Sequence, residues 1–329
     1  MRQNSLLETV DLHDNAVIGL GSRGRMLNGI EWIAADWGTT NLRVWAIGID
    51  GSVLAEASSG KGMAKLERDG FEPALTELIG SWLPEAGAVP VIACGMVGAR
   101  QGWIEVPYRQ APCRPFSPEQ IGIPQVRDSR LKVRVLPGIK QIVPADVMRG
   151  EETQIAGVLL EHPDFDGVIC LPGTHTKWVK VAAGEIANFQ TFMTGELFNL
   201  LSMHSVLRHS LDDAGWDAGE FAGSVKMSVA EPAGFAGQLF AIRADTLVSG
   251  LAPAAANARL SGTLIGAELA AARSYWLGHD VLVVGNGMQA GLYGEGLRAL
   301  GKASRASDAS QVTLAGLKSA HTEIMKDIK

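Results

Sequence analysis

Residues 1 to 29 are polar and hold no sustained hydrophobic period, whereas a sharply patterned segment begins at Glu31. The first 30 residues are therefore expected to be a flexible extension, with Met26 as a candidate start for the patterned part. The run Trp32-Ile33-Ala34-Ala35-Asp36 predicts a short buried strand, residues 38–41 a turn, and residues 42–47 a second, alternating strand. Asp50-Gly51 predicts a type I′ hairpin turn, which needs positive φ at both central residues, leading into a strand over 53–57. Phe71, Leu75, Leu78, Ile79 and Trp82 recur at helical spacing, and residues 89–93 form another buried-strand run ahead of Gly95. Residues 107–144 carry many prolines and few periodic runs, which marks a loop-rich cap or linker.

Beyond Pro144 the pattern repeats itself. A helix is expected over 151–160, with Ile155, Val158 and Leu159 inward, then a strand at 168–171, a turn Pro172-Gly173-Thr174-His175-Thr176, and a strand at 177–181. Ala183-Gly184 turns the chain into a further strand at 186–192. Strand, glycine-threonine turn, strand, glycine turn, strand is also the order over 32–57, so a β-meander is duplicated, one copy per domain. Helices follow near 195–210, 236–250 and 261–277, then a strand at 280–284, the turn Gly285-Asn286-Gly287, a helix from about Met288 and a helical tail after Gln311. The expected division is an extension over 1–30, a first domain over 31–145 and a second over 146–329, with a hinge near Pro144.

Composition narrows the class without naming it. With 47% hydrophobic residues and 19% charged residues the chain has the balance of a globular enzyme. Its net charge of −6 and lack of a long basic run argue against nucleic acid as a partner. Cys94, Cys113 and Cys170 are odd in number and far apart, which suits neither a disulfide framework nor a zinc site, and fits a reducing compartment. No stretch reaches the length of a membrane span, so a cytoplasmic protein is expected.

Glycine-threonine turns aim successive backbone N–H groups and hydroxyls at one point, and such nests bind phosphate oxygens. Gly38, Thr39, Thr40 and Asn41 form one candidate, and Gly173, Thr174, His175 and Thr176 the other. Either alone reads equally well as a plain hairpin. Occurring at the same place in a duplicated frame, they point to two sides of a triphosphate site. Asp36, on the strand entering the first turn, is placed to hold Mg²⁺ through water, since magnesium keeps its waters and takes few carboxylates.

Other signals are weaker. Gly19 to Gly24 matches G-x-G-x-x-G but leads into a meander, not a βαβ unit, and Gly296 to Lys302 approaches a P-loop except that Ala303 stands where Ser or Thr should be. Both are set aside. Glu151 and Glu152 at the start of the expected helix have a plain reading, acids favoured at a helix N-terminus. The sharper reading makes Glu151 the carboxylate that orients and deprotonates an attacking hydroxyl, because phosphoryl transfer needs chiefly positioning of the nucleophile. His175 has two readings as well, phosphate donor or structural hydrogen-bond partner. His204 is expected to pack, and the tryptophans at 32, 37, 45, 82, 103, 178, 216 and 276 to build core or cleft wall. Arg100, Arg109 and Arg114 are candidates to pair bidentately with a substrate carboxylate, each with solvated surface as its plainer fate.

Taken together, several segments resemble the 2-dehydro-3-deoxygalactonokinases over residues 32–329. They are Asp36-Trp37-Gly38-Thr39-Thr40-Asn41-Leu42-Arg43, Gly95-Met96-Val97-Gly98 with Gly102-Trp103, and Met148-Arg149-Gly150-Glu151-Glu152-Thr153-Gln154. Further along stand Leu171-Pro172-Gly173-Thr174-His175 with Lys177-Trp178, Thr194-Gly195-Glu196-Leu197, and Ser261-Gly262 with Ile265-Gly266-Ala267-Glu268. The resemblance implies an α/β protein of two ribonuclease-H-like domains, the actin-like ATPase and sugar-kinase fold, with ATP and Mg²⁺ in an interdomain cleft. It also implies transfer of the γ-phosphoryl group to the 6-hydroxyl of 2-dehydro-3-deoxy-D-galactonate, a step of galactonate catabolism. Related sugar kinases place a catalytic Asp after a Gly at the start of the second domain, and Gly150-Glu151 stands in that place with Glu for Asp. Arg100, Arg109 and Arg149 then become the substrate contacts to test, and Gly285 and Gly287 the counterpart of the superfamily's adenosine loop. The expected partner is a small sugar acid, with neither nucleic acid nor membrane. Homo-oligomers stay open, as do a kinase for another sugar or sugar acid and a non-catalytic ATP- or sugar-binding regulator.

Overall fold

The computed structural model describes residues 29–212 and 215–327, so the expected extension, the candidate start at Met26 and the Gly19–Gly24 motif lie outside the described residues. The chain gathers into two compact units. The first takes the described parts of Asp11–Phe165, Gly184–Ile186 and Ser310–Lys329; the second takes Asp166–Ala183 and the described parts of Ala187–Ala309. The chain thus passes from one unit to the other at 165/166 and returns at 310, where the sequence pattern set a single division at 145/146.

In the first unit the elements are β1 (Ile30–Trp37), β2 (Leu42–Gly48), β3 (Val53–Ser59), α1 (Phe71–Ile79), β4 (Val89–Gly95), β5 (Arg109–Gln110), β6 (Leu131–Val135), β7 (Ile139–Gln141), β8 (Asp146–Met148) and α2 (Glu151–Glu161). The main sheet runs β3-β2-β1-β4-β6. The first three strands form an antiparallel meander, and β4 and β6 lie parallel to β1. Both faces of β1 are covered, which is why its sequence is continuously apolar rather than alternating. Ile33, Ala35 and Trp37 join Phe71, Leu75 and Ile79 of α1 on one side. Trp32 and Ala34 join the C-terminal helix on the other.

The second unit contains β9 (Gly167–Leu171), β10 (Thr176–Ala182), most of β11 (Glu185–Phe192), α3 (Thr194–His204), α4 (Ala218–Ala230), α5 (Phe235–Val248), α6 (Pro253–Ala271), α7 (Arg273–Trp276), β12 (Val281–Val284), α8 (Gly287–Ala299) and β13 (Arg305–Ser307). Its sheet runs β11-β10-β9-β12-β13, again an antiparallel pair beginning the sheet and two strands parallel to the first. The two sheets share one topology, that of the ribonuclease-H-like fold, and the duplicated meander is the part of it that the sequence pattern exposes. The last helix, α9 (Ala309–Asp327), returns to the first unit, where His321 stacks on Trp32 at 4.3 Å between ring centroids.

Several expectations need correction. Among the Asp50-Gly51 pair, Gly51 alone has positive φ (77°); Asp50 instead accepts from the Ser52 amide at 2.9 Å, an Asx turn. Positive φ at both central residues occurs at Ala183 (52°) and Gly184 (75°). The stretch 107–144 is not only loop, because Leu131-Lys132-Val133-Arg134-Val135 supplies β6, the sheet's edge. Strand β13 and helix α4 were not anticipated either. Helix α4 is poor in large apolar residues because it packs on α6 through small ones: a Cβ on Gly262 would lie 2.5 Å from the Phe221 carbonyl oxygen, and one on Gly266 would lie 2.8 Å from that of Val225. The P-loop-like Gly296 to Lys302 begins in the last turns of α8, where Gly296 faces Leu269 and Ile265. Seven of the eight tryptophans are buried, and Trp216 packs half-buried against the second unit's core, but His204 is exposed at the end of α3 and not packed.

Within the first unit α2 and α9 cross at backbone distance. A Cβ on Gly157 would lie 1.9 Å from the Val312 carbonyl oxygen, and one on Gly316 would lie 1.9 Å from that of Thr153. Gly157→Ala should therefore destabilise the protein by about 1–3 kcal/mol in urea unfolding, through overpacking. Gly223→Ala is the control: it sits in α4 with nothing within 4 Å of the added methyl and should stabilise by about 0.5–1 kcal/mol through helix propensity.

Candidate active site

At the end of β1, Asp36 stands opposite Arg43 on β2 and Cys94 on β4. The Cys94 thiol donates to Oδ1 of Asp36 at 3.8 Å. The first candidate turn follows, with the Gly38 amide donating to the Asn41 carbonyl at 2.9 Å. Its remaining carbonyls are tied from behind: Gly38, Thr39 and Thr40 accept from the amides of Met63, Ala64 and Gly62. Gly62 has to be glycine, since a Cβ there would lie 2.2 Å from the Thr40 carbonyl carbon. With its carbonyls engaged, the turn presents the exposed Thr39, Thr40 and Asn41 to solvent, a suitable surface for an anion.

Strand β4 ends at Gly95 with φ 89°, where a Cβ would lie 2.6 Å from the Trp37 carbonyl oxygen. Gly150, with φ 111°, lies against it; a Cβ on Gly150 would be 3.4 Å from the Gly95 Cα. These two glycines bring the start of α2 to the ends of β1 and β4. Glu151, first residue of α2, is close enough that its charge raises the Asp36 pKa. Burial is the larger cause of that rise, and Arg43 and the Cys94 hydrogen bond oppose it.

Gly150 provides no side-chain cap, and the two acids act in its place. Glu151 Oε2 accepts from the Arg149 amide at 3.0 Å, and both oxygens of Glu152 accept from the Gly150 amide at 2.9 and 2.8 Å. Glu152 is buried, and burial, helped by the Glu151 charge, lifts its pKa to about 8 against the backbone hydrogen bonds and Arg149. Its capping role agrees with the plain reading of paired acids, while Glu151 keeps a partly exposed carboxylate.

Of the arginines considered, Arg149 is the one joined to this cluster. Its side chain is only 9% exposed, its Nη2 donates to the Val106 carbonyl at 2.8 Å, and its guanidinium lies 4.2 Å from the Tyr108 ring centroid. Nε and Nη1 are buried without a hydrogen-bond partner. Gly98 gives the space, since a Cβ there would be 2.8 Å from Nη1. Arg100 is exposed, with its carbonyl accepting from Arg68, and Arg109 donates to the Arg114 carbonyl at 2.8 Å.

In the second unit the turn Gly173 to Thr176 abuts the N-terminus of α3. A Cβ on Gly195 would lie 2.3 Å from the Gly173 carbonyl oxygen, and the Glu196 amide donates to the Thr174 carbonyl at 3.0 Å. Thr174 and His175 are exposed, and His175 Nε2 meets Glu196 Oε2 at 2.6 Å, so the structural-partner reading of His175 has a concrete basis. The Thr176 side chain points inward and shares a hydrogen bond with the Tyr293 hydroxyl at 2.8 Å. Gly285 follows β12 with its amide on the Ser307 carbonyl, and Gly287, φ 60°, opens α8. A cavity beside this turn, between α3, α6 and α8, is lined by Thr194, Gly195, Phe198, Ser261, Ile265 and Tyr293.

The sequence reading named neither Glu152, Tyr108, Gly62 nor Tyr293 as site residues. The first had a visible signal in the acid pair; the others are set by tertiary contacts. Among the described residues no group of three or more His, Cys, Asp or Glu side chains could hold a metal ion, and no helix is long and apolar enough to cross a membrane.

Comparison with known proteins places the chain in a family. The profile of the 2-keto-3-deoxy-galactonokinase family matches residues 36–320. A Rhizobium meliloti (strain 1021) protein named "Probable 2-dehydro-3-deoxygalactonokinase DgoK1" is 40% identical over 298 residues, covering 88% of this chain and 96% of its own. The Escherichia coli (strain K12) 2-dehydro-3-deoxygalactonokinase is 34% identical over 276 residues, 82% of this chain and 90% of its own. The crystal structure of a candidate 2-dehydro-3-deoxygalactonokinase from Sinorhizobium meliloti superposes with a TM-score of 0.83 at 39% identity, covering 89% of this chain and 99% of that one. The chain belongs to the 2-keto-3-deoxy-galactonokinase family.

Proposed function

We propose that this protein is a kinase that transfers the γ-phosphoryl group of ATP to the 6-hydroxyl of 2-dehydro-3-deoxy-D-galactonate in the cytoplasm. The observation that carries the catalytic part is the meeting of Asp36, Glu151 and Arg149 around Gly95 and Gly150 within one unit. Glu151 orients the acceptor hydroxyl and takes its proton, and its partly exposed position suits that role better than the buried Glu152. Glu152 holds the Gly150 amide, and thereby the bend that presents Glu151.

Arg149 is our choice for the substrate carboxylate. A buried guanidinium with two unpartnered nitrogens is costly, and a carboxylate bonded to Nε or to Nη1 would relieve part of that cost with a charge-assisted hydrogen bond. In the first unit the turn at Gly38, Thr39, Thr40 and Asn41 is the phosphate-binding candidate; in the second it is the turn at Gly173, Thr174, His175 and Thr176, through its backbone and Thr174, with Gly285 and Gly287 bordering the adenosine. Asp36 fits a water-mediated magnesium site, because the nearby Glu151 charge favours a cation and magnesium takes few carboxylates. Mg²⁺, when bound, neutralises charge on the transferring phosphates.

A panel of sugar acids and neutral hexoses in an ADP-release assay tests the activity. Turnover should be confined to the 2-dehydro-3-deoxy sugar acid, and activity on hexoses alone would refute the substrate. Glu151→Gln should lower kcat by about 10²–10⁴-fold with ATP binding intact, as for loss of a general base; unchanged turnover would remove Glu151 from the mechanism. Arg149→Lys should raise KM for the sugar acid about tenfold or more while KM for ATP stays within twofold, since Lys cannot reproduce the fixed, planar set of donors.

The raised pKa of Glu152 also has a stability consequence. The folded protein retains a proton that the unfolded chain loses at the ordinary value of 4.5, so Glu152 contributes stability that is complete below pH 4.5 and is lost as pH rises to about 8. Glu152→Gln cannot titrate. Thermal melts should show the variant gaining on the wild type between pH 5 and pH 8.5 by several degrees, and parallel curves would rule out a buried, titrating Glu152.

A further inference from the structure

We infer that Glu268, a buried carboxylate on α6 that contacts no candidate phosphate group itself, is the positioning residue that holds the nucleotide-binding segments of the second unit in register. The inference rests on the kinase reading above, in which the 173–176 turn and the segment around Gly285 and Gly287 bind ATP. Glu268 is 3% exposed. Its Oε1 accepts from the Trp178 indole at 2.7 Å, and its Oε2 accepts from the Thr194 hydroxyl and from the Tyr293 hydroxyl, the latter at 2.7 Å.

Each of these partners belongs to a different nucleotide-site segment. Trp178 lies on β10 two residues beyond Thr176, the end of the turn. Thr194 begins α3 and precedes Gly195, which touches the Gly173 carbonyl. Tyr293 lies on α8, the helix that Gly287 opens. Tyr293 is bonded in turn to the Thr176 hydroxyl at 2.8 Å, so the chain Glu268–Tyr293–Thr176 closes a loop from α6 back to the turn. Thr194 and Tyr293 also line the cavity between α3, α6 and α8. A single carboxylate thus ties β10, α3 and α8 together, and the last two border the cavity beside the 173–176 turn.

Direction matters in this network. The indole N–H can only donate, so Oε1 must accept, whereas Thr194, Tyr293 and Thr176 can reverse. A glutamine can therefore reproduce the connections with its carbonyl on Trp178 and its amide on the two hydroxyls. Burial raises the Glu268 pKa to about 7 against its three hydrogen bonds, and the single proton of the neutral acid can reverse one of the two hydroxyl bonds. The titratable groups facing it are Tyr293 on α8 and Cys170 on β9, and burial raises both well above their ordinary values, leaving Glu268 as the group that changes charge.

The experiment measures ATP affinity by titration calorimetry and KM for ATP and for the sugar acid in Glu268→Ala and Glu268→Gln, each checked by thermal melting. Glu268→Ala should weaken ATP binding and raise KM for ATP by tenfold or more, with KM for the sugar acid within twofold. Glu268→Gln should recover most of the ATP affinity and flatten the dependence of KM for ATP on pH between 6 and 8. Where Glu268→Ala gives no folded protein, Tyr293→Phe decides, because it cuts the link to Thr176 while keeping the ring; a several-fold loss of ATP affinity supports the inference. Wild-type turnover together with unchanged ATP affinity in the folded variants would overturn it. A wild type that neither binds ATP nor turns over would instead refute the kinase reading itself.

Discussion

The approach of Gly150 to Gly95 is the contact on which the first unit's chemistry depends. Gly95 ends β4 so close to Trp37 that a Cβ would lie 2.6 Å from the Trp37 carbonyl, and Gly150 needs φ 111° to bend the chain from Arg149 into α2. Positive φ at both places disfavours ordinary side chains, and at Gly95 the spacing also leaves no room for one. What the arrangement achieves is local: it brings the first residues of a helix to the ends of two parallel strands. The cost is electrostatic. Asp36, Glu151 and Glu152 are crowded together, and two of them carry raised pKa values because burial penalises their charge. Arg43 and Arg149 offset part of that crowding, which makes the two arginines structural as well as chemical residues.

The second unit solves a similar problem with the same parts in another order. Its turn is braced by a glycine, Gly195, as the first turn is braced by Gly62, and in both cases the brace touches backbone that no Cβ would tolerate. Each unit also holds a buried acid, that of the first bonded within its own segment and that of the second to three other elements. Glu152 caps the bend at Gly150, and Glu268 gathers Trp178, Thr194 and Tyr293. The duplicated sheet order extends to these glycine braces, since Gly62 and Gly195 each lie three residues past the third strand of their meander.

How much of this was legible in the sequence follows from which forces act locally. The meanders and both turns were readable because strand alternation and glycine-threonine turns are properties of a few adjacent residues. Strand β6 was missed since Leu131-Lys132-Val133-Arg134-Val135 lies among prolines that mask a five-residue alternation, and α4 since its packing rests on Gly262 and Gly266 of another helix. Asp36 could be proposed from its position before the first turn, and Glu151 from its place at the start of a helix. That Arg149, rather than Arg100 or Arg109, is buried beside them could not, because its environment is assembled from Gly98, Val106 and Tyr108, some 40 to 50 residues earlier in the chain.

A buried acid inside an apolar helix segment is nevertheless a signal that sequence can carry. Glu268 interrupts Leu264-Ile265-Gly266-Ala267 and Leu269, and an unpaired charge there would be expensive enough to unfold a marginal protein. Its presence implies partners in advance of any coordinates, and the kinds available are limited to groups that donate. The structure supplies an indole and two hydroxyls rather than an arginine. Neutral donors leave the carboxylate's charge uncompensated, which is why burial can still lift its pKa to about 7 where an arginine partner would have held it low. The choice of partners thus bears on charge as well as position: three neutral donors orient the Glu268 carboxylate without the cation that would lower its pKa.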